Sequence, residues 1–135
     1  MLAGSLPVLI AAVAAFLIGA LWYSPVLFAK AWVRANGYTP EKLAAMQANA
    51  GRAYGGSFVA FLVMASILGL LLRHLGADSI ADGAGWGFHA WLGFALPIGF
   101  TAHVYSDRPV AVFLIDAGYQ LVYMTVMGAI LGGWQ

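Results

Sequence analysis

The 135-residue chain contains no cysteine, which excludes disulfide staples and thiolate metal sites. Charge is nearly as scarce. Asp, Glu, Lys and Arg make up 8% of the residues, against roughly 25% in soluble domains, and this points away from a soluble globular class. The formal net charge of +1, with no basic cluster, excludes the electrostatic footprint of a nucleic-acid binder. The three histidines, His74, His89 and His103, are too widely spaced for a short metal-ligand motif, so neither a metal nor a cofactor is expected. Catalytic signatures are missing as well. The chain has no G-x-S-x-G, P-loop, G-x-G-x-x-G or H-E-x-x-H, so it is not expected to be an enzyme. There is no Ser- or Pro-rich linker, and residues 1–135 read as one domain.

What the chain does have is apolar length. Hydrophobic residues make up 63% of it and gather in four runs, at about 3–23, 53–72, 80–104 and 109–134. About 20 apolar helical residues cross the roughly 30 Å hydrocarbon core of a bilayer. The first run has no positively charged n-region and no A-x-A-like cleavage site before Trp22-Tyr23-Ser24-Pro25, so it reads as a retained helix. Ala11, Ala15 and Gly19 give that helix a small-residue stripe suited to close packing. The second run is bracketed by Arg52 and Arg73. The third contains Pro97 and several glycines, which a membrane helix tolerates when neighbours satisfy the backbone. Between the first two runs, Lys30 and Arg34 fall on one side of a short amphipathic segment whose other side carries Leu27, Phe28, Ala31 and Trp32. Thr39-Pro40-Glu41 then restarts a helix. The expected fold is all-α: a polytopic transmembrane bundle of four helices with short interfacial helices in the first loop.

Charge placement predicts the orientation. Lys30, Arg34, Lys42, Arg52 and Arg108 fall in loops one and three, and Arg73 alone lies on the other side. The positive-inside rule then places loops one and three in the cytoplasm and both termini outside, in a plasma (inner) membrane.

Two groups of residues are candidate sites. The first is intramembrane and polar. Asp116 is the one formal charge inside the last run, and Tyr119, Gln120 and Tyr123 share its broad face. Pairing of the third and fourth runs predicts Asp116 level with Pro97, where it or Gln120 satisfies backbone freed at the proline, with His89 nearer Thr125. Such a face serves either as packing between helices or as the lining of a cavity. The second group is the elbow of Trp22, Tyr23, Lys30, Trp32 and Arg34, read as an interfacial anchor or a lipid-headgroup contact. Gly83-x-x-x-Gly87 and Gly128-x-x-x-Gly132 are helix-contact motifs and predict a homo-oligomer, by symmetry a dimer.

Gly19 with Trp22-Tyr23-Ser24-Pro25, Phe28, Lys30 and Trp32 resembles the first signature of the bacterial domain-of-unknown-function 1761 family. Trp91-Leu92-Gly93-Phe94 with Pro97, Arg108-Pro109, and Asp116-Ala117-Gly118-Tyr119 followed by Gly128 and Trp134 resemble its later signatures. The resemblance covers nearly the whole chain and implies a small four-span integral membrane protein, but no substrate. The functional expectation is a non-enzymatic structural or accessory protein in the lipid bilayer. The alternative is a small transporter or channel whose polar cavity is lined by the fourth span.

Overall fold

A computed structural model describes the chain from Leu2 to Gln135, with side chains from Ser5 onward. Among the described residues the regular structure is entirely helical. The elements are α1 (Leu2–Trp22), α2 (Ala29–Asn36), α3 (Pro40–Ala48), α4 (Ala50–Leu75), α5 (Ile80–Ala90), a π-turn (Trp91–Ala95), α6 (Leu96–Val104) and α7 (Val110–Gly133). Local chemistry sets the ends. Gly37 and Gly76 close α2 and α4 in the left-handed conformation that glycine adopts without strain. The Thr39 and Ser79 hydroxyls cap α3 and α5 by accepting from the Lys42 and Asp82 amides at 3.2 and 3.0 Å.

Three helices, α1, α4 and α7, are long and apolar enough to cross a membrane. The third expected run differs. It is helical from Ile80 to Val104, but the π-turn divides it, so neither α5 nor α6 reaches that length unbroken. The physical reason is Pro97, which has no N–H to donate and crowds the preceding turn. The backbone widens just ahead of it, and the Leu96 amide reaches back five residues to the Trp91 carbonyl. The irregularity is thus absorbed within the chain's own backbone, without Asp116.

Helix α7 is the hub of the packing, touching α1, α2, α4, α5 and α6. Its closest neighbour is α5. Gly83 and Gly87 lie directly against Gly128 and Met124, and Gly132 lies against Ser79 and Gly83. Any Cβ at these glycines would run into the facing backbone. The two glycine motifs therefore form a seam inside the chain, and the sequence argument for self-association loses them. The other side of α7 packs against α1 and α4 through Ala11, Ala15, Phe61, Ala65, Leu68, Tyr123, Met127 and Leu131. Large apolar side chains such as Leu17, Val63, Phe94, Ile98 and Leu114 point outward and stay exposed.

Gly128→Val is expected to lose about 3 kcal/mol or more of stability, because the new side chain meets backbone that cannot yield. Gly85→Ala, where nothing lies within 4 Å of an added Cβ, should be neutral or gain up to about 1 kcal/mol from helix propensity. Thermal unfolding in detergent compares the two.

Candidate functional site

The site begins at the end of α1. Pro25 stops the helix, and the chain turns back through a compact elbow. The Phe28 amide bonds the Trp22 carbonyl at 3.0 Å, the Leu27 and Ala29 amides both reach the Ser24 carbonyl, and the Ser24 hydroxyl donates to the Leu21 carbonyl at 2.7 Å. This turn aims Trp22 and Tyr23 at the first half of α7 and lays α2 across the same region, so that Trp32 converges there too.

The target of all three is the Asp116-Ala117-Gly118-Tyr119 segment. The Tyr23 hydroxyl donates to Asp116 Oδ1 at 2.5 Å, and the Trp32 indole N–H donates to the same oxygen at 3.1 Å. The Trp22 indole N–H donates to the Ile115 carbonyl at 3.0 Å. On the opposite face of α7, the Trp91 indole N–H donates to the Ala117 carbonyl at 3.0 Å, which ties the π-turn to the hub. Gly118 leaves room for the Trp22 ring, whose nearest atom would sit 3.1 Å from an added Cβ. The Tyr119 hydroxyl crosses to the Ala15 carbonyl at 2.8 Å, over the space that Gly19 leaves open. Tyr123, 7% exposed, reaches Met64 Sδ at 3.8 Å.

The rings form a continuous chain. Tyr23 meets Trp32 edge-on at 5.7 Å and Tyr119 at 5.4 Å, Tyr119 meets Tyr123 at 4.7 Å, and Tyr123 meets Phe61 at 5.1 Å.

Asp116 thus takes its hydrogen bonds from Tyr23 and Trp32 rather than serving the backbone at Pro97, which lies exposed on α6. The expected pairing of the last two runs set aside the α1 elbow, 93 residues away in sequence, and the elbow supplies the donors. The two candidate groups are one cluster for Asp116, Tyr119, Trp22, Tyr23 and Trp32, with Tyr123 continuing it toward α4. Lys30 and Arg34 stay outside it, exposed on α2. His89 is also apart. It is exposed on α5, its Nδ1 lies 2.7 Å from the Gly85 carbonyl, and Trp86 and Phe88 flank it.

Two cavities adjoin the cluster. One, of about 790 Å³, lies between α1, α2 and α4, with Tyr23, Trp32 and Tyr119 in its walls. The other, of about 540 Å³, opens near the α6–α7 turn and is lined by Asp116, Gln120, His103, Ser106 and Arg108. In the sequence His103 and Arg108 carry no site signal, because each reads as a helix-end or loop charge. Among the described residues no three His, Asp or Glu side chains converge as a metal site would require.

The segments that interlock here carry the family resemblance, and a family model described as a protein of unknown function, DUF1761, matches residues 6–132. The chain belongs to the DUF1761 family. No curated protein and no solved structure matches it. In this DUF1761 chain the Trp-Tyr-Ser-Pro and Asp-Ala-Gly-Tyr stretches each acquire a physical reason. The first supplies the donors and the turn, and the second supplies the acceptor, the clearance and the return hydrogen bond.

Asp116→Ala should strand two half-buried donors and lower stability by about 2–4 kcal/mol. Asp116→Asn keeps an acceptor oxygen and should lose roughly half as much. Tyr23→Phe removes one donor and is expected to cost about 1 kcal/mol, as read by thermal unfolding monitored through tryptophan fluorescence.

Proposed function

We propose that this DUF1761 protein is a non-enzymatic integral membrane protein of accessory type that crosses the bilayer four times. In this reading α5, the π-turn and α6 together make the third crossing, and the fourth is α7. The outward apolar side chains of α1, α4, α6 and α7 support it, since they suit lipid and would be anomalous in water. Following the charge bias, both termini lie outside, and the basic elbow, α2 and α3 lie on the cytoplasmic surface.

The observation that carries the accessory role is the pairing of the polar side chains on α7. Asp116, Tyr119 and Tyr123 each bond to α1, the elbow, α2 or α4. A polar stripe satisfied in this way fixes one helix arrangement and presents a basic, amphipathic platform at the headgroup level. The platform includes Val26, 80% exposed in the elbow, and the exposed Lys30 and Arg34 of α2, a combination suited to a lipid surface. The transporter reading has one observation in its favour: Asp116 and Gln120 also line the smaller cavity, with His103 and Arg108 at the same mouth.

The absence of native cysteine makes the test direct. Single cysteines at Tyr119, Gln120, Tyr123 and the lipid-facing control Leu114 are exposed to a membrane-impermeant maleimide from each side. The accessory reading expects Tyr119→Cys and Tyr123→Cys to be protected and Gln120→Cys to label from one side only. Rapid labelling at all three polar positions from both sides would replace it with a continuous aqueous path, and hence transport.

A further inference from the structure

The larger cavity is distinctive in what surrounds it. Six of its walls are aromatic: Phe16, Tyr23, Trp32, Tyr54, Phe61 and Tyr119. Small residues, Gly19, Ala20, Ala29, Ala53 and Ser57, fill the intervals and keep the space open. A volume of about 790 Å³ is that of a drug-sized ligand site. No charged side chain lines it. Helix α2 contributes Ala29, Trp32 and Val33, while Lys30 and Arg34 are exposed on the same helix and absent from the wall.

An acidic group stands behind two of the wall residues. Tyr23 and Trp32 face the cavity, and both donate to the one Asp116 oxygen. A phenol or indole whose polar hydrogen is held by a carboxyl oxygen has a more electron-rich ring, and the negative faces of such rings attract cations. An acyl chain needs no such faces and is served by aliphatic walls. An anion would find no cationic group, and the Tyr23, Trp32 and Tyr119 hydrogens are already engaged, which leaves it only the Tyr54 and Ser57 hydroxyls.

We propose that the cleft between α1, α2 and α4 binds a lipophilic organic cation, a quaternary or protonated centre with an apolar body, held among the rings of Tyr23, Trp32, Tyr54 and Tyr119. This goes beyond the accessory role and does not depend on it. A chain that failed the cysteine-labelling test would still be expected to bind the cation, so the two readings fail separately.

The test uses a pair of probes of one shape and opposite charge. Tetraphenylphosphonium and tetraphenylborate are titrated against the full chain in nanodiscs, with empty nanodiscs as the correction. Binding is read by equilibrium dialysis and by quenching of tryptophan fluorescence. Saturable binding of the phosphonium, about tenfold or more tighter than the borate, is expected. Trp32→Leu should weaken it by about tenfold, but this variant also removes a partner of Asp116. Tyr54→Leu is therefore the cleaner variant. Tyr54 is 60% exposed and forms no part of the Asp116 cluster, so the fold should hold while affinity falls by about fivefold. Equal or tighter binding of the borate would overturn the proposal and leave an apolar cleft suited to acyl chains. Phosphonium binding that is not saturable, or that Tyr54→Leu leaves unchanged, would also overturn it.

Discussion

A single carboxyl oxygen accepts from two segments that the chain keeps far apart from it. Asp116 lies in the first half of α7, and its donors come from the end of α1 and from α2. Neither donor would stay there on apolar packing alone. A phenol hydroxyl or indole N–H left unpaired in a low-dielectric setting costs several times the net worth of one satisfied bond. The elbow therefore has one position in which its aromatic residues are both buried and satisfied, and that position sets the direction of α2. The cleft between α1, α2 and α4 lies beside this contact of α2 with α7, and Tyr23 and Trp32 form part of its wall.

Helix α7 can serve as the hub because its two sides are built differently. Toward α5 it presents Gly128 and Gly132, so that backbone approaches backbone. Toward α1 it presents Tyr119 and Tyr123, and there α1 answers with Ala11, Ala15 and Gly19. Small residues thus face small on one seam, and large face small on the other. Both arrangements bring helices close, but only the second leaves room for side-chain hydrogen bonds such as that from Tyr119 to Ala15.

Much of this order is legible in the residues themselves. Helix ends at Gly37, Thr39 and Ser79 follow from their own chemistry, and the long apolar runs declare α1, α4 and α7. The third run reads as one span because hydropathy averages over the backbone, whereas Pro97 acts on individual hydrogen bonds, and the π-turn Trp91–Ala95 is its local consequence. The partner of Asp116 was not legible. Chain-neighbour reasoning pairs α7 with the run before it, and nothing in a single sequence ranks the elbow, 93 residues earlier, above Pro97. The glycine motifs were legible as contacts but not as to whose. The same spacing serves a seam within one chain or between two, and here α5 and α7 form it.

Magnitudes show why the elbow needs such an anchor. Helix α2 has eight residues, well short of the roughly 12–15 at which an isolated helix becomes marginal in water. The membrane surface can order an amphipathic segment, but it leaves rotation and lateral position free. Two net hydrogen bonds contribute about 1 kcal/mol each, and the ring contacts of Trp32 with Tyr23 and Tyr38 add about 0.5–1.5 kcal/mol apiece. That sum is comparable with the entropy of fixing two or three residues, at about 1–2 kcal/mol each. It is too small to order the whole segment, yet sufficient to select one orientation from those the bilayer surface already permits. The interface thus supplies the helix, and Asp116 decides which way it faces.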